Sequence, residues 1–329
     1  MDILFLSHYT ENACGWYRNA GIVPHLRKIT DHNITIARYS EVSPISWALV
    51  VQYDIIFMQN PLGRDSAMLV RLVRECGKKS WIDYDDNYLS INPENDKFEE
   101  YNSEDVKKSI ISILKNADVV TVTTEYLKQC FKEYSSNIWV VPNAHNDYLL
   151  KREDLKPRNK VVLWRGGQSH KRDLIFHADA LNKAAEEFGD YNFIYMGYNI
   201  WHNTKNDHNN NKQLKGTDVI MYFKTIFNMC PSVVWTPLED NVFNHGKSNI
   251  AAIEASWVGA ASIVPSWWNF PSALHYSNTQ ELFDCIYAAL SGEVDVEKQA
   301  RLGWEFVSDT LLLSKVNLKR VEIIKSLER

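Results

Sequence analysis

The sequence has little that would build a metal centre or a disulfide framework. Its five cysteines, Cys14, Cys76, Cys130, Cys230 and Cys285, are odd in number, far apart, and form no C-x-x-C pair or Cys/His ligand cluster. That pattern excludes the usual zinc-ligand spacings and leaves reduced thiols of a cytosolic protein as the expectation. His8, His170 and His245 fall at predicted strand or loop ends. None is spaced as a zinc pair, and no nucleophilic triad can be read. No apolar run approaches the roughly 20 residues needed to span a bilayer. Ile3-Leu4-Phe5-Leu6 turns polar at Ser7-His8 with no basic segment before it, too short for a secretory h-region. A cytoplasmic protein without a transmembrane segment is expected, and peripheral contact with a membrane surface stays open. Excess positive charge is missing too: 36 Lys and Arg stand against 41 Asp and Glu, for a net charge of -5. General nucleic-acid binding, which rests on phosphate neutralisation, is disfavoured, although a local basic cleft stays open. Neither G-x-x-x-x-G-K-[ST] nor G-x-G-x-x-G is found where a strand meets a helix.

What is present fits two α/β domains. With 329 residues the chain is long for one domain and sufficient for two cores. Short apolar runs alternate with helical stretches, as in βαβ units and parallel sheets. Strands are expected at Asp2–Ser7, Ile34–Tyr39, Asp54–Gln59, Lys79–Tyr84, Asp118–Thr123 and Ile138–Val141. Helices are expected at Arg18–Lys28, Ser66–Cys76, Ser103–Asn116 and Glu125–Tyr134. A polar stretch from Pro142 through Lys160 carries no apolar period and reads as the linker. The second series comprises strands Val161–Trp164, Asn192–Met196, Val233–Thr236 and Ala261–Val264, with helices Asp173–Phe188, Val219–Met229 and Ser248–Val258. Asn203–Gln213, dense in Asn, reads as a loop, and two amphipathic helices near Val296–Leu313 and Lys315–Leu327 end the chain. Domains over residues 1–150 and 151–329 are expected, with the last helices packing back on the first. Ligands should lie beyond the carboxyl ends of the strands.

The segment Val233–Ala273 is the most informative. A strand, a polar loop and a helix starting near Lys247-Ser248 would make an anion site suited to a diphosphate. Glu254 is the only ionisable side chain between Lys247 and His275. A carboxylate buried without partners costs several kcal/mol, so it needs a reason. On one helix, Lys247 and Glu254 would share a face about two turns apart, roughly 10 Å. A nucleoside diphosphate lying there would put phosphates at the N-terminus and ribose at the carboxylate. The alternative is that Glu254 pairs with an Arg or Lys of another element and holds the domain together.

The run Pro237-Leu238-Glu239-Asp240, Phe243-Asn244, Lys247-Ser248, Glu254, Gly259 resembles the donor-binding segment of retaining GT-B glycosyltransferases. The likeness is to bacterial and phage-type members of the glycogen-synthase-like and mannosyltransferase-like family. It implies two Rossmann-like parallel α/β domains facing each other across a cleft. In that family the helix carries the second Glu of an E-x7-E motif, which holds ribose, and Glu254 takes that place. The first Glu would fall at position 246, which is Gly246 here, leaving Asn244 or His245 as substitutes for the sugar contact.

Further constellations extend the likeness. Val161–Lys171 contains Arg165, Gly166, Gly167 and Lys171. Paired glycines allow close backbone approach, and the resemblance implies that Arg165 and Lys171 neutralise the leaving diphosphate. An ordinary glycine turn with solvated charges is the alternative. Gly15-Trp16-Tyr17-Arg18 resembles the stretch where glycine passes the donor phosphate, and Trp16 or Tyr17 either stacks on acceptor or packs under the loop. Asp118–Thr124 followed by Val140–Ala144 marks the end of the first domain. Asp83-Tyr84-Asp85-Asp86 contains a D-x-D, the metal–diphosphate pattern of the GT-A class, but its place in a first α/β domain followed by a second does not fit that class. Asp85 or Asp86 would then orient an acceptor hydroxyl or act as its base. Turn carboxylates capping the next segment are the alternative.

The resemblance therefore implies transfer of a sugar from a nucleotide-sugar donor (UDP-, GDP- or dTDP-linked) to a hydroxyl acceptor, with retention and without an obligatory metal or other cofactor. The acceptor stays open among a glycan, a lipid-linked sugar and a modified DNA base, the last as in phage-type enzymes. A sugar-nucleotide epimerase and a non-catalytic nucleotide-sugar-binding protein are the other classes compatible with this pattern.

Overall fold

The computed structural model describes residues 1–8, 12–42, 47–93, 98–152, 157–198 and 210–328. The first sheet contains β1 (Asp2–Ser7), β2 (Asn33–Arg38), β3 (Ile55–Gln59), β4 (Lys79–Tyr84), β5 (Val119–Val122) and β6 (Ile138–Val140), in the order β2-β1-β3-β4-β5-β6. The second contains β7 (Asn159–Gly166), β8 (Asn192–Gly197), β9 (Asn211–Lys215), β10 (Pro231–Trp235), β11 (Ala261–Pro265) and β12 (Leu274–Tyr276), in the order β12-β11-β10-β7-β8-β9. All pairings are parallel. Such sheets are covered on both faces, which is why β3, β5, β10 and β11 are buried at every residue.

The strand order places the functional clefts. In the second sheet the order reverses between β7 and β10, and in the first between β1 and β3. At such switch points the loops leaving two neighbouring strands part to opposite faces and open a crevice at the carboxyl ends. The residues there are Arg165-Gly166-Gly167 with Thr236-Pro237 in one sheet, and Ser7-His8 with Gln59-Asn60 in the other.

Helices start where local chemistry starts them. Ser103 accepts a hydrogen bond from the Val106 N–H and caps Glu104–Asn116, whose first turn carries Glu104 and Asp105. The expected Arg18–Lys28 helix is instead two, Ala13–Arg18 and Val23–Ile29, because Pro24 lacks the N–H an interior position needs and suits a first turn. The expected Asp173–Phe188 helix is also divided, into Lys171–Phe176 and Ala178–Glu187. His177 sits at the join, and its Nε2 bonds the Leu238 carbonyl at 3.1 Å. Strand β12 and the helix Thr279–Ser291 were not anticipated. Of the expected Asn203–Gln213 loop, residues 203–209 lie outside the described residues. Asn211, Lys212 and Gln213 belong to β9, whose polar composition suits a sheet edge.

The two parts of the chain exchange elements. The final helix Leu313–Leu327 contributes Val316, Ile323, Ile324 and Leu327 to the core formed by Ile3, Phe5, Leu26 and Trp81 of the first part. Each fully buried large apolar side chain of this kind stabilises by about 1.5–3 kcal/mol. Trp16 and Tyr17 go the other way, into the second core with Phe223, Ala251 and Trp257.

Candidate functional site

A cavity of 410 Å³ opens at the β7/β10 switch point and extends to the first sheet. Its floor is the end of β7, where Arg165, Gly166 and Gly167 line it, and the loop after β10, from Thr236 to Leu238. Next to them Gly197 closes β8 at φ +113, and a Cβ there would lie 2.2 Å from the Gly166 carbonyl oxygen. Only glycine fits that turn.

One side is formed by the helix Ile250–Val258. Sequence spacing started it at Ser248, but Lys247, Ser248 and Asn249 precede it, so Lys247 is not on a helical face with Glu254. The short helix Val242–His245, capped by Gly246, comes just before these residues. Lys247, Ser248, Ile250 and Ala251 all border the cavity. The first N–H groups of a helix have no intrahelical partner and carry the positive end of its dipole. Lys247 also pairs with Asp86 at 3.6 Å across the cleft, and Asn143 donates to the Ser248 hydroxyl at 2.8 Å.

Glu254 lies deeper, 5% exposed. Its Oε1 accepts from the Tyr17 hydroxyl at 2.6 Å. Its Oε2 accepts from Arg165 Nε at 2.8 Å and from the Tyr222 hydroxyl at 2.5 Å. Burial first, and the carboxylate second, push both tyrosines well above their ordinary range, so both remain donors. Burial pulls the Arg165 pKa down, and Glu254 together with Tyr222 and Tyr17 more than offsets this, leaving it raised. A pairing with an Arg of another element is thus present, and it lies in the cavity wall. Three nearby polar atoms, Arg165 Nη2, Thr236 Oγ1 and Trp268 Nε1, are buried without a partner among the described residues, and their residues line the cavity. Orphaned buried atoms cost about 1–3 kcal/mol each, so their concentration in one wall points to a ligand that satisfies them.

The opposite wall comes from the first sheet. Asn12 caps the helix Ala13–Arg18, which Ala13 and Cys14 open, and Asp85 and Asp86 follow β4. Asp85 accepts from Asn60 Nδ2 at 2.8 Å. Burial, then the Asp86 and Asp83 carboxylates, push its pKa up to about 6. The same Asp85 charge holds the Cys14 thiol well above the ordinary range, so it stays protonated. Asp83 is committed elsewhere: its Oδ2 accepts from Arg18 Nε at 2.9 Å and its Oδ1 from the Thr121 hydroxyl at 2.6 Å. Arg18 also donates to the Val141 carbonyl at 2.7 Å. The D-x-D pattern therefore divides into a structural carboxylate and two that face the cleft. Among the described residues no group of three or more His, Cys, Asp or Glu could hold a metal ion.

Of the residues singled out from the sequence, Asp85, Asp86, Arg165, Gly167, Lys247, Ser248 and Glu254 meet around this cavity. Gly15, Lys171 and Asn244 stand outside its wall. Gly15 is buried within Ala13–Arg18, and Lys171 begins its helix beyond the lining residues. Asn244 is 2% exposed and donates to Asp173 at 2.7 Å and the Glu239 carbonyl at 2.9 Å, fixing the loop. His245 stacks on Trp267 at 4.6 Å and is likewise outside the wall. Gly246 packs at the junction, where a Cβ would meet Leu127 at 3.0 Å. A glutamate at 246 would require Leu127 to shift. Acceptor stacking by Trp16 or Tyr17 is not what the structure shows: Trp16 packs on Phe223 at 5.3 Å, and both rings are in the second core. Sequence reasoning missed Tyr222, which stands one helix away from Glu254, and Asn143, whose partner is remote in sequence.

No protein-family model matches the chain, and no curated sequence matches it. Solved structures do resemble it. A candidate UDP-N-acetylglucosamine 2-epimerase from Listeria monocytogenes superposes with a TM-score of 0.56 at 13% identity, covering 94% of each chain. UGT2 of Phytolacca americana, complexed with UDP-2-fluoroglucose and pterostilbene, gives 0.56 at 11% identity over 100% of both chains. The pneumococcal O-GlcNAc transferase GtfA, with UDP and GlcNAc, gives 0.61 at 10% identity over 84% of this chain and 57% of that one. The chain has the GT-B fold. Two Rossmann-like sheets with their carboxyl ends turned to a shared cleft are its defining arrangement, and the expected fold class holds.

Proposed function

We propose that this protein is a glycosyltransferase, moving a sugar from a nucleotide-sugar donor to a hydroxyl acceptor. The observation that carries the proposal is the polarity of the cleft. Arg165, Lys247 and a helix N-terminus line its second-sheet side, and Asp85 and Asp86 face them from the first.

The positive side suits a diphosphate. As the bond from the sugar to the diphosphate breaks, negative charge grows on the departing oxygen. Fixed donors aimed there stabilise that charge without reorganising. Lys247, Ser248 and the first N–H groups of Ile250–Val258 are assigned this role. Glu254, held by Arg165, is assigned the ribose hydroxyls, using the acceptor capacity that its three present donors leave. On the other side, Asp85 is assigned the acceptor hydroxyl. A carboxyl with a pKa near 6 is largely ionised at neutral pH, yet more basic than an ordinary aspartate. Contacts across the cleft exclude water and so limit hydrolysis of the donor. Retention and independence from a divalent ion form part of the proposal on the strength of the sequence likeness. Gly15, Lys171 and Asn244 are assigned to the scaffold. Residues 1–150 as acceptor-side unit and 151–329 as donor-side unit complete the scheme.

The test is a thermal-shift panel of UDP-, GDP-, dTDP- and CMP-sugars on the wild type and on Lys247→Ala. One nucleotide series should raise the melting temperature in a concentration-dependent way. Lys247→Ala should reduce the response to the diphosphate about tenfold in apparent affinity, while leaving the bare nucleoside unaffected. If no nucleotide sugar stabilises the wild type, the proposal fails. Interconversion of the donor sugar without any acceptor would favour an epimerase instead.

A further inference from the structure

His170 lines the cavity just beyond the Gly166-Gly167 turn, and its side chain keeps 19% of its surface open. The ring is fixed on two sides. Its Nδ1 lies 2.9 Å from Asp173 Oδ2, and it stands edge-on to Trp164 at 6.4 Å. Asp173 is itself buried, and its Oδ1 accepts from the Glu239 N–H at 3.0 Å and from Asn244 Nδ2 at 2.7 Å. A carboxylate that accepts on both oxygens has no proton to give, so Nδ1 carries the hydrogen and Nε2 is left as an acceptor. Nε2 has no hydrogen-bond partner among the described residues. It adjoins the ring's Cδ2, which approaches Gly166 so closely that a Cβ there would lie 3.1 Å away. The free nitrogen is therefore on the edge of the ring next to the cavity floor.

An unprotonated nitrogen is the wrong partner for a diphosphate, since both would accept. The charges acting on the ring explain its present state. Arg165 at the end of β7 and Lys247 ahead of Ile250–Val258 are cations, and Asp173 is the facing anion. Burial first, then Lys247, hold the imidazole below its ordinary pKa against the opposing pull of Asp173. Further charges nearby are engaged with one another: Lys247 with Asp86 at 3.6 Å, and Arg172 with Glu239 at 2.7 Å. In the ligand-free protein His170 is thus neutral at pH 7. A diphosphate bound by Lys247 and the helix N-terminus would offset the two cations and bring negative charge to Nε2. Both effects favour the imidazolium, and Asp173 stabilises it from the other side.

We propose that His170 is a ligand of the donor diphosphate and takes up one proton from solvent as the nucleotide sugar binds. This rests on the glycosyltransferase reading of the cavity. Nε2–H then donates to a diphosphate oxygen, while Nδ1–H stays on Asp173. In the transfer step the bond from the anomeric carbon to the diphosphate breaks, and its electron pair goes to the diphosphate. The imidazolium stabilises that charge beside Lys247 and keeps its proton throughout. Release of the nucleoside diphosphate returns the proton to solvent, so the cycle closes. Asn244 and the Glu239 N–H, which hold Asp173, position the ring at one remove.

The experiment is isothermal titration of the full chain at pH 7 in buffers of different ionisation enthalpy. The titrant is UDP-glucose, or the nucleotide sugar that the thermal-shift panel selects. Its diphosphate is esterified at both ends and titrates far below neutrality, so a proton taken up goes to the protein. The dependence of binding enthalpy on the buffer should give uptake of about half to one proton per site. His170→Gln should lose that uptake and weaken the nucleotide sugar about tenfold. His170→Lys, a permanent cation, should restore most of the affinity without uptake, which a purely structural ring would not allow. Asp85 is the other group that incoming negative charge could protonate, and Asp85→Asn should keep the uptake. Binding by the wild type without proton uptake would overturn the proposal. So would uptake that survives in His170→Gln or vanishes in Asp85→Asn, or a folded His170→Lys that binds no better than His170→Gln. Failure of every nucleotide sugar to bind would instead strike the donor reading itself, and the proposal with it.

Discussion

Removing the Glu254 carboxylate should lower the stability of the ligand-free protein, not only its affinity for donor. In Glu254→Ala the Arg165 guanidinium loses its counter-charge, and the hydroxyls of Tyr17 and Tyr222 lose their acceptor. Breaking one partner of a buried ion pair costs about 3–5 kcal/mol. The lower end applies here, because the Arg165 side chain keeps 22% of its surface in solvent. With about 2–4 °C per kcal/mol for a unit of this size, the melting temperature should fall by roughly 6–12 °C. Glu254→Gln keeps the shape and one acceptor oxygen, so its fall should be about half as large. Calorimetry on the ligand-free variants at pH 7 gives these values directly. The nucleotide-induced shift must then be taken from each variant's own baseline, and it should be reduced in both. An unchanged ligand-free melting temperature in Glu254→Ala would refute the reasoning, since the carboxylate would then be free of the network and reserved for ligand. A large fall with an undiminished nucleotide shift would leave Glu254 purely structural.

Two other perturbations separate the roles of the acidic residues. Transfer rate should fall on the acid side with an apparent pKa of about 6, and Asp85→Asn should abolish the activity with that limb. Because the folded pKa of Asp85 lies above its unfolded value of 3.8, the folded state binds more protons between those pH values. Its contribution to stability therefore falls as pH rises from about 4 to 6. Asp85→Asn should consequently stabilise the protein at pH 7, by up to about 3 kcal/mol, while costing activity. Urea titration of Arg18→Ala should show a loss of about 3–5 kcal/mol, as it strands Asp83 in the core. Arg18→Lys should rescue little of it, because one ammonium cannot replace the fork that holds Asp83 and the Val141 carbonyl together.

The parts of this molecule that were legible in the sequence are those governed by local pattern. Continuous apolar runs gave β3, β5, β10 and β11, since a strand buried on both faces has no polar alternation to confuse its reading. Elements whose identity depends on tertiary contact were harder to read. Strand β9 is polar because it is an edge, and β12 has only three residues. The start of the Glu254 helix was misplaced because Lys247-Ser248 satisfies every local rule for a helix start. What keeps those residues out of the helix is long-range: Asn143 holds Ser248, and Thr124 donates to the Gly246 carbonyl. Gly246 shows the same limit. Its absent side chain stands out by sequence comparison as a lost contact, but in space it is the clearance that lets Leu127 and the loop meet.

Tyr17 is the residue that ties these observations to function. It belongs to the helix Ala13–Arg18 of the first part, yet its ring is in the second core and its hydroxyl bonds Glu254. Together with Lys247 on Asp86 and Asn143 on Ser248, it makes the bridge between the two sheets run through the donor cavity itself. Opening the cleft would break these three contacts, each of which involves a group assigned to the nucleotide or its diphosphate. A donor that bonds Lys247, Ser248 and Glu254 would take over the same groups, so donor binding and the closed arrangement compete for some partners and share others. Four lone-pair sites on a carboxylate against three donors present leave one free. A ribose diol, with two hydroxyls to offer, therefore has to displace Tyr17 or Tyr222 to bind in full. Of these Tyr17 is the bridge, and its displacement would couple filling of the donor site to the position of the acceptor domain.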